Sequence, residues 1–195
     1  MNRSVWISLS LFGIFALALL ALPACDSTDH PVAPGQEARS APSAPCSGVF
    51  GNNTVGTAFT GVTDLFFYPV VSAAVSTLTQ ISVYTSSTSA VTYEAGVYSN
   101  NGTQPWNLLA ETGPQTVSAP ATLWNTATLD HAIALSAGVT YWLAYEATPA
   151  NSARDNSAVI AYCYQPQGAF GTLAPSFTGT VSSGFIFSVY GITCP

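Results

Sequence analysis

The sequence predicts an all-β protein: an antiparallel two-sheet β-sandwich, jelly-roll-like, preceded by a signal peptide and a disordered linker. Three observations support that class. After residue 53 nearly every apolar run is short and built from β-branched or aromatic residues, which suit a pleated, half-buried surface. The runs are broken by Gly, Pro, Asn and Ser at roughly ten-residue intervals, the punctuation of a sandwich or jelly roll. Helical spacing of apolar residues is absent from this stretch.

In chain order, strands are expected at Asp64–Val71, Leu78–Thr85, Thr92–Tyr98, Leu108–Thr112, Thr122–Leu129, His131–Leu135, Val139–Glu146, Ser157–Tyr164 and Gly184–Ile192. Pro69 marks an edge or a bulge in the first of these, because proline has no N–H for a sheet ladder. The clearest strand is Val139–Glu146, where Val139, Tyr141, Leu143 and Tyr145 alternate with Thr140, Trp142, Ala144 and Glu146. A turn at Ser136-Ala137-Gly138 precedes it, with Ile133 and Leu135 on one face upstream. The two segments are therefore expected to pair as a hairpin.

The amino terminus carries one basic residue, Arg3, and then an uncharged run from Val5 to Ala24, which is the layout of an export signal. That run closes Leu22-Pro23-Ala24-Cys25, which resembles the bacterial lipobox, although Pro23 departs from its commoner Ala, Ser or Thr. The resemblance implies cleavage after residue 24, with Cys25 as the lipidated mature terminus carrying diacylglycerol and an acyl chain such as palmitate. The chain is then a lipoprotein of the bacterial cell envelope, anchored to the membrane and either periplasmic or exposed at the outer-membrane surface. Simple secretion, or an uncleaved helix of about twenty residues, are the alternatives, and each still exports the domain. Residues 25–45 are rich in Pro, Ala and Ser with scattered charges, too polar to offset the entropy of ordering, and read as a flexible tether that includes Asp29 and His30.

Residues 46–195 form one domain of ordinary size. It holds six carboxylates, Asp64, Glu94, Glu111, Asp130, Glu146 and Asp155, against a single basic residue, Arg154. A phosphate backbone would meet almost no cationic surface, so nucleic acid is excluded as a partner. Of the cysteines beyond Cys25, Cys46 and Cys194 bracket the domain and are expected to oxidise in an export compartment, with Cys163–Cys194 as the competing pair. Closing so long a loop stabilises by about 4 to 5 kcal/mol in the chain-entropy model. The cysteine left over is expected to be buried and inert, for want of a basic partner.

Val97-Tyr98, Asn100-Asn101-Gly102, Pro105, Leu108-Leu109-Ala110, Trp124-Asn125, Ala132–Leu135, Ala137-Gly138 and Thr140–Ala144 occur in an order that resembles β-sandwich modules repeated in large secreted bacterial proteins. The similarity spans about residues 78 to 146 and is followed loosely from Tyr162 through Pro175 to Tyr190. It implies a jelly-roll-like accessory module that binds glycans or acts in adhesion, and carries no catalytic signature.

A pyranose has one apolar C–H face and a rim of donors and acceptors, so sugar-binding sandwiches combine exposed rings with amides and carboxylates. Trp106, just after the turn Asn100–Pro105, is the leading candidate, with Asn100, Asn101 and Asn107 around it. Trp124 and Trp142 lie inside expected strands and are assigned to the core. No D-x-D-x-D-G loop or H-E-x-x-H pair occurs, so no metal site or cofactor is expected, and structural calcium on scattered oxygens is left open. Catalysis lacks parts. The domain's one imidazole, His131 beside Asp130, has no G-x-S-x-G nucleophile, and no lysine is present. A carboxylate pair about 5 to 9 Å apart would require sequence-distant residues such as Glu94 and Glu146 to meet across a sheet. The expectation is a non-enzyme that binds carbohydrate or another extracellular surface. A structural partner in protein contacts comes second, and a small hydrolase last.

Overall fold

The computed structural model describes residues 44–156 and 160–195. The expected signal peptide, Cys25 and the expected tether to residue 43 lie outside the described residues, as does the expected strand start at Ser157. Regular structure among the described residues is all strand: β1 (Gly48–Gly51), β2 (Ala58–Gly61), β3 (Asp64–Val71), β4 (Ser76–Ser86), β5 (Val91–Asn100), β6 (Pro105–Glu111), β7 (Gln115–Val117), β8 (Leu123–Leu135), β9 (Thr140–Thr148), β10 (Asn151–Asp155), β11 (Ala161–Pro166), β12 (Thr180–Ser183), β13 (Ile186–Phe187) and β14 (Val189–Cys194). They form two antiparallel seven-stranded sheets packed as a sandwich. The first contains β1, β2, β4, β8, β10, β13 and β14, and the second β3, β5, β6, β7, β9, β11 and β12.

Alternation places the core. Leu78, Ile81 and Val83 of β4 meet Phe66 and Tyr68 of β3, Tyr93, Ala95 and Val97 of β5, and Leu143 and Tyr145 of β9 between the sheets. Phe187 packs edge-on or tilted against Phe66 at 5.0 Å and Tyr145 at 5.8 Å, contacts worth about 0.5–1.5 kcal/mol each beyond the area they bury. Tyr145 Oη and Ser152 Oγ, both fully buried, share a hydrogen bond that ties the two sheets together.

Three expectations are corrected. His131–Leu135 and Val139–Glu146 do not form a hairpin: Leu135 pairs with Ser76 in the first sheet, whereas Thr140 pairs with Val71 in the second. Residues 136–139 are an arch between sheets, with the Gly138 N–H donating to Ser72 O and the Ser72 N–H to Val139 O. Turn residues alone do not distinguish an arch from a hairpin. The expected strands Thr122–Leu129 and His131–Leu135 are instead one strand, β8, with an irregularity in its pairing where β4 passes from Leu78 to Gln80. Pro69 marks neither an edge strand nor a bulge: β3 lies between β11 and β9, and Pro69 pairs in register with Trp142, its missing N–H tolerated because β11 flanks only Asp64–Phe67.

The second sheet is covered on both faces. Its outer side chains, Leu65, Phe67, Tyr98, Trp142 and Ala144, form a second cluster with Leu173 and Phe177 from the connection 167–179. This strap is tied down by backbone and side-chain bonds: Tyr98 Oη to Ala174 O at 2.6 Å, Leu108 N–H to Pro175 O at 3.0 Å, Phe177 N–H to Trp106 O at 3.1 Å and Thr178 N–H to Gln165 Oε1 at 3.1 Å. Gly96 makes room for it, because a Cβ there would lie 2.6 Å from Leu173 Cδ1 and 3.0 Å from Ala110 O.

Cys46 and Cys194 are disulfide-bonded beside the β1·β14 ladder, where Gly48 pairs with Thr193. Cys163 is free and buried in the second cluster, and burial pushes its thiol up to about 11, which keeps it protonated and unreactive. Reducing the full chain with dithiothreitol should lower its unfolding free energy by about 4 kcal/mol, read as a drop in denaturant midpoint. An unchanged midpoint would show that the ends of the sandwich hold without the bond.

Candidate functional site

Trp106 is not in a loop. It lies in β6, where its carbonyl is tied to the strap while its ring is 48% exposed and borders none of the described clefts. Asn100 is spent structurally, its Oδ1 accepting the Trp142 indole N–H at 2.9 Å. Asn101 occupies an exposed turn closed by its N–H to Gln104 O. Asn107 is exposed with its N–H on Ser99 Oγ. The four residues thus give one exposed ring and two exposed amides on a sheet edge.

Glu94 and Glu146 do meet across the sheet: they are directly paired on β5 and β9 and are 0% and 3% exposed. Each carboxyl lies in the field of the other, and Glu94 Oε1 is buried with no hydrogen-bond partner among the described residues. The strap seals the pair, since the Gly171 N–H donates to Glu94 Oε2 at 3.0 Å and the Leu173 N–H to nearby Glu111 Oε2 at 2.7 Å. Burial first, then the Glu94 charge, push Glu146 up to about 7. Burial likewise raises Glu94, with the Glu111 charge adding to it. Buried side by side on neighbouring strands and closed off from solvent, the pair offers no open cleft for a sugar chain to enter between two carboxyls. His131 is exposed, with its Nδ1 2.9 Å from Asp130. Among the described residues no three His, Cys, Asp or Glu side chains gather as a metal site.

The arrangement best suited to a ligand lies on the outer face of the first sheet. Trp124 of β8 meets Tyr84 of β4 at 5.5 Å and Tyr190 of β14 at 4.9 Å, both edge to face. The three rings are only partly buried, which corrects the assignment of Trp124 to the core. Trp142, by contrast, is 3% exposed, as a core ring should be. Tyr190 pairs with Ser82, and Tyr84 with Trp124, so the indole reaches across β4 beside the small side chain of Ser82. Ser82 is fully buried although it points away from the core, and Thr126 Oγ1 donates to its Oγ at 2.9 Å. Gln80 and Thr128, bonded side chain to side chain, extend the same face. These residues of the face are uncharged. Period-2 phase holds the signal that finds it: Ala127 and Leu129 point inward, so Trp124 falls in phase with Thr126 and Thr128, on the wet side.

The carboxyl pair dictates a pH dependence. An unfolded glutamate titrates near 4.5, so the folded pair keeps its protons to higher pH than the unfolded chain does. Its contribution to stability is full below about pH 4.5 and is lost as pH rises through about 7. Denaturant titrations should give about 2 kcal/mol less stability at pH 8 than at pH 5. Glu146→Gln, which cannot ionise, should flatten the profile; a flat wild-type profile would refute the raised titration of the buried pair. No protein-family model matches the chain, and no curated protein matches it in sequence.

Proposed function

We propose that the protein is a non-catalytic, lipid-anchored component of the bacterial cell envelope whose sandwich binds carbohydrate through the outer face of its first sheet. The observation that carries this reading is the trio Tyr84, Trp124 and Tyr190, set among the uncharged hydroxyls and amides of Ser82, Thr126, Thr128 and Gln80. Rings accept the apolar face of a sugar, and Thr126, Thr128 and Gln80 offer partners for its hydroxyls. Trp106 with Asn101 and Asn107 offers a smaller, second contact. The lipobox-like end at Cys25 supports the anchor, and the Cys46–Cys194 disulfide accords with an oxidising compartment. The sealed state of Glu94 and Glu146 supports the non-catalytic reading.

A role in assembly through protein contacts draws on Val49, 52% exposed and paired with Ile192 on the same sheet. The two readings separate on Trp124→Ala. Titration of neutral oligosaccharides should show at least a tenfold loss of affinity in that variant, with Trp106→Ala much milder; sugar binding that survives Trp124→Ala removes the face from the proposal. The anchor is checked separately by labelled palmitate, which should enter the wild-type chain and not Cys25→Ser. Equal labelling of both would refute lipidation at Cys25.

A further inference from the structure

The outer face of the first sheet does not end at the three rings. Two residues beyond Tyr84 and Trp124, and in phase with them, stand Ser86 and Thr122, whose hydroxyls are 3.4 Å apart. Asn151 of β10 pairs with Ser86 on the opposite edge of β4. This row opens into a cleft of about 480 Å³, lined further by Ser87, Thr88, Ser89 and the turn Pro149–Ala150.

The cleft is prebuilt by its own backbone. The Ala121 N–H donates to Ser87 O at 2.9 Å, Thr85 Oγ1 to Ala121 O at 2.9 Å, and the Val62 N–H to Ala150 O at 3.0 Å. The Ser89 N–H is taken by Ser87 Oγ at 3.1 Å. Among the described residues, the side chains of Thr88, Ser89 and Asn151 make no hydrogen bond, so their donors and acceptors are available to whatever enters. Such preorganisation lowers the ordering cost of binding.

We infer that this cleft is an extension subsite for a neutral glycan chain, holding the hydroxyl rims of the sugars next to the one stacked on Tyr84, Trp124 and Tyr190. The inference rests on the carbohydrate reading above and adds the direction in which the chain runs and its charge class. The lining contains no titratable side chain, and the chain carries a formal charge of −6. Arg154, the single basic residue beyond Cys46, is committed elsewhere, with its guanidinium 3.9 Å over the Phe185 ring and bonded to Asn156. A uronate or sulfated sugar would lose hydration here with no countercharge to replace it. An apolar peptide would leave the row of hydroxyls and the Asn151 amide unpaired, which costs binding energy.

Calorimetry on the full chain with cello-, xylo- and manno-oligosaccharides of two and six sugars tests this. In at least one series the hexasaccharide should bind at least tenfold more tightly than the disaccharide. Asn151→Ala and Thr122→Val, both at exposed positions, should each shrink that ratio by about fivefold, in keeping with the loss of one hydrogen bond. Oligogalacturonate of the same length should bind at least tenfold more weakly. Disaccharide and hexasaccharide binding with equal affinity, or ratios unmoved by both variants, would overturn the subsite and leave the carbohydrate reading intact. Absence of binding by every neutral sugar would overturn that reading, and the subsite with it.

Discussion

Closure of residues 167–179 over the second sheet is the constraint from which the rest of the molecule follows. A central antiparallel sheet can face water on one side, but β5 and β9 carry Trp142, Tyr98 and Ala144 outward as well as Tyr93, Leu143 and Tyr145 inward. Their outward set needs a cover, and Leu173 and Phe177 provide it. Once that face is sealed, the broad open surface of the sandwich is the outer side of the first sheet, with Tyr84, Trp124 and Tyr190 on it. The strap therefore decides which sheet is core on both sides and which is free to meet a ligand.

The strap also explains the two buried glutamates. Glu94 and Glu111 accept backbone N–H groups from Gly171 and Leu173, donors that a segment without regular structure would otherwise leave unpaired against an apolar surface. Glu146 accepts no such donor among the described residues, and burial beside Glu94 pushes it up to about 7. Carboxylates that look catalytic by composition thus serve as anchors of a lid-like segment, at the expense of stability in alkali.

Polar groups on the opposite sheet follow a different logic. Ser82 and Thr126 stand beside partly exposed rings, and Gln80 and Thr128 continue the same face, on β-strands held by a packed core; the rings support one another edge to face. Side chains on strands are more sharply positioned than those on loops. Trp106, by contrast, stands alone on β6 without a concave surface beside it. An aromatic surface passing into a hydroxyl-lined cleft therefore outweighs a single exposed ring as a place for an extended ligand.

The strands were largely legible in the chain: Asp64–Val71 was read to the residue, and the ladders of β4, β5 and β9 within a few positions. Shorter strands such as Ala58–Gly61 and Asn151–Asp155 escaped because four or five residues carry too little periodicity to stand out. The face of Trp124 was also written in the alternation from Leu123 to Leu129, but a tryptophan inside a strand was weighed by its size instead of its phase.

By itself the sequence determined the fold class, the export-signal pattern and which cysteines bracket the domain, because alternation, composition and position along the chain are local properties. Only the tertiary structure decided that Ser136–Gly138 bridges two sheets, that Glu94 and Glu146 share a sealed site, and that Tyr84, Trp124 and Tyr190 converge. Each of these depends on strand register between segments distant in the chain, and register is set by the packing of the whole core.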